Sequence, residues 1–132
     1  MPFELDIFRK AGALMAHAQA RQAVVSENIA HADTPGYRAR DIQAFSDVYQ
    51  GSKAELDRAM TTRDGHRMRE DQAAAHRFAE YVAPGIESPD GNTVTLEDQM
   101  IRGVEAQRAH SRAVAVYDKS MDILRTALGR GR

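Results

Sequence analysis

The 132-residue chain contains no cysteine and no tryptophan. Without thiols there is no disulfide framework and no thiolate metal site, and either redox compartment is compatible with the composition. No apolar run approaches the roughly 18 residues that a membrane-spanning helix needs. The start, Met1-Pro2-Phe3-Glu4-Leu5-Asp6, has neither a basic n-region nor an apolar h-region, so no Sec-type cleaved signal is expected. On that basis the chain reads as cytoplasmic, and a protein exported by a signal-less route looks the same. Charge is nearly balanced, with 18 Lys and Arg against 19 Asp and Glu and a net charge of −1, which is not the profile of a chain held to nucleic acid by bulk charge. Also missing are a Gly-rich phosphate loop, a Ser or Cys nucleophile in a recognisable setting and a paired-carboxylate site, so no enzyme activity and no cofactor are expected.

What is present is helical periodicity at both ends. From about Ile7 to Ala32, residues Phe8, Ala11, Met15, Ala18, Gln22, Val25, Ile29 and Ala32 recur at alternating spacings of three and four, close to a heptad. Asp6 is the expected N-cap. From about Leu96 to Leu128 a second stripe comprises Met100, Gly103, Gln107, His110, Val114, Tyr117, Met121, Leu124 and Leu128. Thr95 with Asp98 makes a capping-box-like start, Glu97 and Asp98 suit the positive helix end, and Gly129 is a reasonable stop. Gly12 and Gly103 are costly inside helices, and close approach of another helix would explain them. Gln22 and Gln107 interrupt the stripes, either as register-setting seam residues or as residues reaching solvent.

Large apolar residues are sparse between residues 43 and 93. This stretch reads as a weakly structured insert with one marginal helix near 66–80, followed by a run, Pro84 to Asn92, rich in Gly and Pro turn formers. The fold class expected is all-α: long N- and C-terminal amphipathic helices in a coiled-coil-like pair around a weakly structured middle. The parts are 1–42, 43–93 and 94–132, the first and last forming one assembly domain. A lone seam of modest side chains does not offset the ordering of two long helices, so neighbouring subunits are expected to complete the packing, with a partly disordered free monomer.

Between the first helix and the insert lies Thr34-Pro35-Gly36-Tyr37. Pro35 presets φ at the second turn position and Gly36 supplies φ > 0 at the third, which defines a type II turn. Asn28, Asp33 and Thr34 are placed to bond nearby backbone and end the helix. His31 and Asp33 lack a third metal ligand, and no metal is expected. His17 and His110 read as packing histidines, while His66 and His76 read as solvated. Arg63, His66, Arg67 and Arg69, with the tail residues Arg130 and Arg132, give only an interrupted basic patch without aromatics, leaving nucleic-acid binding as a minor alternative.

Ser26 to Ile42 resembles the N-terminal motif of flagellar axial proteins, the rod and hook proteins and their relatives. In that family a long helix runs into an Asn-Ile-Ala-Asn-Ala-like segment and then a Thr-Pro-Gly-Tyr or Thr-Thr-Gly-Phe turn. Here Asn28, Ile29, Ala30, Ala32, Thr34, Pro35, Gly36 and Tyr37 carry the match, while His31 replaces the usual second Asn and Glu27 stands where Asn or Ser is common. The form Ala32 to Ile42, together with Gly91-Asn92-Thr93-Val94 before Leu96-Glu97-Asp98, looks most like the proximal-rod members. The similarity covers roughly residues 8–42 and 90–128.

The resemblance implies a non-enzymatic structural subunit of the bacterial flagellar basal body, in the periplasmic rod. Such a subunit is exported unfolded by the flagellar type III apparatus and polymerises to transmit motor torque. The partners it implies are further copies of the chain, a FlgC-like rod protein, the MS-ring protein, a FliE-like adaptor and the export apparatus, with no nucleic acid and no membrane insertion. The expected assembly residues are Phe8, Met15, Val25, Ile29, Met100, Val114, Met121 and Leu124, and the family turn spans Thr34 to Tyr37. A free-standing coiled-coil adaptor unrelated to flagella is the other reading of the same stripes.

Overall fold

A computed structural model describes residues 2–50 and 78–129, with side chains from residue 6 onward. Helix α1 spans Pro2–Ala30, strand β1 Arg40–Ile42, strand β2 Glu80–Val82 and helix α2 Leu96–Gly129; residues 45–50 are also helical. The fold is all-α in class, with one short sheet added.

Pro2, which has no N–H to leave unpaired, suits the first turn of α1. The helix therefore begins a turn before Asp6, which lies within it and does not cap it. At the other end α1 stops at Ala30, two residues before the expected limit, and residues 31–36 form successive turns. Helix α2 begins where its sequence signals place it, with Gln99 N–H bonding Thr95 C=O at 3.0 Å. Asp98 does not close a capping box; its carboxylate meets Arg102 Nε one turn on, at 3.0 Å.

The two helices are antiparallel. Asn28 near the end of α1 bonds Gln99 near the start of α2 at 2.9 Å, Arg21 pairs with Glu105 at 3.2 Å, and Phe8 meets Tyr117 edge-on with ring centroids 5.1 Å apart. Their seam consists of small residues. Ala11, Ala18 and Val25 on α1 and Gln99, Ala106 and Ala113 on α2 are buried, each set repeating once per heptad. A Cβ on Gly103 would lie 3.6 Å from Val25 and 3.9 Å from Gln22, at ordinary contact distance, so Gly103 faces α1 but a small side chain would also fit there. Gly12 has nothing within 4 Å of the corresponding point.

Which rows are buried differs from a simple reading of the stripe. Ala11, Ala18 and Val25 face inward as expected. Ile29 is 42% exposed and Gln22 is exposed, whereas Asn28, one residue earlier, is sealed. On α2, Met100 is 67% exposed and Gln107 is exposed, and the seam uses the preceding row, Gln99, Ala106 and Ala113. Small side chains let the axes approach closely, and close packing outweighs side-chain bulk in choosing the seam.

The ends of the supposedly weak insert are well defined. Strands β1 and β2 pair antiparallel with Arg40 opposite Val82, Asp41 opposite Tyr81 and Ile42 opposite Glu80. Ala39, Ile42, Ala83 and Thr93 are buried against the helices. Of the helix expected near 66–80, residues 66–77 lie outside the described residues, and Glu80–Val82 is strand. His66, His76 and the basic group Arg63, Arg67 and Arg69, like Arg130 and Arg132, also lie outside the described residues. No described helix is long and apolar enough to cross a membrane.

Candidate assembly site

The Thr34–Tyr37 turn has the expected form. Gly36 has φ +73° and Tyr37 N–H bonds Thr34 C=O at 3.2 Å, a type II turn for which glycine's missing Cβ is required. His31 stacks on the Tyr37 ring at 4.5 Å and contacts Thr34 Oγ1 at 3.2 Å through Nδ1, so this histidine is a packing group of the turn. His17 is likewise a packing residue: buried, edge-on to Phe45 and Phe78, with Nε2 2.7 Å from Gln43 O. Among the described residues no group of three or more potential ligands could hold a metal.

The turn is held from a distance. Asn28 does not cap its own helix. Its Oδ1 accepts from Arg40 N–H at 3.1 Å while its Nδ2 donates to Arg40 C=O at 2.7 Å, so the carboxamide pairs with β1 as a neighbouring strand would. Nδ2 also donates to Gln99 Oε1 at 2.9 Å, and Oδ1 accepts from the Tyr37 hydroxyl at 3.3 Å. All of the side chain's hydrogen-bonding capacity is used, which suits a group with no exposed surface. Gln99 Nε2, equally buried, finds no partner among the described residues. Burial pushes the Tyr37 phenol above its ordinary value of 10.0, and nearby Glu27 adds to the rise.

Residues 90–95 complete the site. Asn92 Nδ2 donates to the carbonyls of His31, Ala32 and Thr34 at 2.9, 2.9 and 2.8 Å, satisfying groups that the end of α1 leaves open. Its Oδ1 accepts from Val94 N–H at 2.7 Å. Thr93 N–H bonds Tyr37 C=O at 3.0 Å and Thr93 Oγ1 accepts from Ala39 N–H at 2.8 Å, while Gly36 N–H bonds Asp90 C=O at 2.9 Å. Gly91, with φ +85°, lies against Gly36, its Cβ position 3.4 Å from Gly36 Cα. Beneath them the buried Asp41 carboxylate accepts from Arg102 Nη1 at 2.7 Å, Arg21 Nε at 3.3 Å and Ile42 N–H at 2.8 Å. Asp41 thus joins both helices to β1.

The expected assembly residues separate into two groups. Val25 is buried within the chain's own seam, and Phe8 is half-buried against Tyr117. The rows Met15, Gln22, Ile29 on α1 and Met100, Gln107, Val114, Met121 on α2 flank the same side of the helix pair, next to Gly103. The β-ribbon covers the opposite side, through His17, Arg21, Val24 and Arg102. No described element covers the first side. Leu124 is half-buried lower on α2. Sequence reasoning noticed Asp41, Asn92 and Thr93 only as part of the resemblance and missed Gln99 and Arg102 altogether. The one available signal was a buried-type spacing, with Gln99 one heptad before Ala106.

Residues 10–38, which include most of α1 and the turn, match the family described as flagella basal body rod protein. The chain is 29% identical over 118 residues to the flagellar basal body rod protein FlgB of Cereibacter sphaeroides, covering 85% of this chain and 90% of that one. It is 36% identical over 83 residues to the FlgB of Salmonella typhimurium, covering 58% and 59% of the two chains, and 39% identical over 82 residues to that of Escherichia coli, with the same coverage. These similarities to flagellar basal body rod proteins support a structural subunit of the basal body rod.

Proposed function

We propose that this subunit builds the proximal rod, with the uncovered side of its helix pair as the docking surface for a helix of a neighbouring rod protein. The observation that carries this reading is the paired rows Met15, Ile29 and Met100, Val114, Met121, which share one open side, Met100 leaving 67% of its surface in water. Burying apolar surface there gains about 25 cal/mol per Å², and a third helix would pack at the usual ~8–10 Å spacing. Neighbours are other copies and a FlgC-like rod protein, with the MS ring and a FliE-like adaptor at the base.

The same geometry suits passage through the flagellar type III apparatus without a cleaved signal. A seam of Ala and Gly buries less apolar surface per residue than a Leu seam, so the isolated pair is weakly held and packing is completed on assembly. Once packed, helices of 29 and 34 residues give long stiff elements for transmitting torque.

The test is electron cryotomography of cells lacking the gene, with motility scored in parallel. An MS ring without a rod, and no swimming, is the expected result; intact basal bodies and normal swimming would refute it and favour the free-standing adaptor. Because the natural chain has no Cys, single cysteines at Met15 and Met100 give a clean cross-linking assay of the open side. Cross-links to neighbouring rod subunits in isolated basal bodies support the docking surface, and their absence removes it.

A further inference from the structure

We infer that Asp90 to Arg102 acts as a latch that makes the N-terminal turn motif conditional on the C-terminal half of the chain, so that an incompletely emerged chain cannot present that motif. Between residues 31 and 39 the backbone of the motif has few means of holding itself. Its internal contacts are the Tyr37 to Thr34 and Thr34 to His31 turn bonds, the contact of His31 with Thr34 and Tyr37, and the Asn28 carboxamide on Arg40 and Tyr37. Beside these, Arg21 pairs with Asp41, β2 pairs with β1 and Ala83 N–H bonds Ala39 C=O; the other bonds that fix residues 28–41 against the helix pair come from residues some 54–71 positions further along the chain. They are Asn92 to the carbonyls of His31, Ala32 and Thr34, Thr93 to Tyr37 and Ala39, Asp90 to Gly36, Gln99 to Asn28, and Arg102 to Asp41.

The consequence follows from satisfaction of buried groups. Without Asn92 and Thr93, the Ala32 C=O and the Ala39 N–H lose their protein partners, the His31 and Thr34 carbonyls keep only one turn bond each, and water must enter to satisfy them. Gly36 and Gly91, both at positive φ and back to back, set two turns that are entropically costly to hold separately and that brace each other when joined. The latch is direction-independent: a chain leaving a ribosome or an export channel, whichever end leads, orders the motif only when both halves are out. In a polymerising subunit this holds back assembly until the chain is complete. That last step rests on the proposed function; the conformational dependence does not.

The test is amide hydrogen exchange on the full-length chain, wild type against Asn92→Ala, with Thr93→Val as the milder variant. The expected result is exchange at least about tenfold faster at Gly36, Ala39 and Arg40, while amides from Ala11 to Val25 stay within about twofold of wild type. Unchanged protection over residues 31–41 in Asn92→Ala would show that the motif stands alone and overturn the latch. A uniform loss in both Asn92→Ala and Thr93→Val would do the same, by showing one global unit. Incorporation of Asn92→Ala into basal bodies at the wild-type level, despite faster exchange, would overturn the hold on assembly while leaving the rod role intact.

Discussion

Replacing Asn28 by Ala removes a side chain that joins both helices, β1 and the turn. Four groups lose a partner: Arg40 N–H, Arg40 C=O, the Tyr37 hydroxyl and Gln99 Oε1. Tyr37 is half-buried, and its hydroxyl can turn to water at little cost. Gln99 is fully buried, and its amide would then have both ends unpaired, costing about 1–3 kcal/mol. The two Arg40 bonds add roughly 0.5–1.5 kcal/mol each, and the vacated volume adds a smaller amount. The expected total is about 2–6 kcal/mol, a large part of the roughly 5–15 kcal/mol available to an ordinary domain.

The assay is denaturant unfolding followed by helical circular dichroism, with Asn28→Asp as the companion variant. Asp keeps the acceptor for Arg40 N–H and Tyr37 but presents a second oxygen to Arg40 O and Gln99 Oε1. Its carboxyl is therefore raised above the ordinary value near ~4. A raised folded-state pKa means the stability is present in acid and lost as pH rises, so Asn28→Asp should be nearer wild type in acid than at neutral pH. A loss under about 1 kcal/mol for Asn28→Ala, or an Asn28→Asp variant insensitive to pH, would refute the strand-mimicking role of this side chain.

Three further outcomes are expected. Gly36→Val places a β-branched residue at φ +73°, at a cost of about 1–3 kcal/mol, and should impair rod assembly; normal swimming would count against the turn's importance. Met100→Asp, at a largely exposed site, should change monomer stability by less than about 0.5 kcal/mol yet block incorporation, and Val114→Asp on the same row should do likewise with some loss of stability; wild-type rods carrying either would show that the row faces solvent in the assembly. Because Tyr37 is raised above 10.0, its contribution holds at lower pH and is lost as pH climbs through the folded-state value; Tyr37→Phe should flatten that alkaline limb of the stability profile, read by fluorescence or circular dichroism.

Periodicity alone located both long helices to within a few residues, because each spans many turns and its apolar spacing cannot be mistaken for a strand. The Thr34–Tyr37 turn was equally legible, since Pro35 and Gly36 leave the backbone one economical path. The same residues carried the resemblance to flagellar axial proteins. Composition, too, settled the absence of disulfides before any fold was considered. Local chemistry decided these features, and local chemistry is what a sequence displays.

Only the tertiary structure decided which rows of the stripes face each other. Each stripe is three rows wide, and its large side chains mark the middle without saying which neighbour covers them. Packing assigned the small residues Ala11, Ala18, Ala106 and Ala113 to the chain's own seam and left Met100 and Ile29 to the open side. The polar site was hidden for a related reason. Asn28, Asp41, Asn92 and Gln99 look solvated in a sequence, and they are buried only because segments up to 71 positions apart bring each of them its partners. A short β-ribbon inside an otherwise helical chain arises in the same way: three-residue strands have no period to read, and they exist because Asn28 closes one edge and the helix pair covers one face.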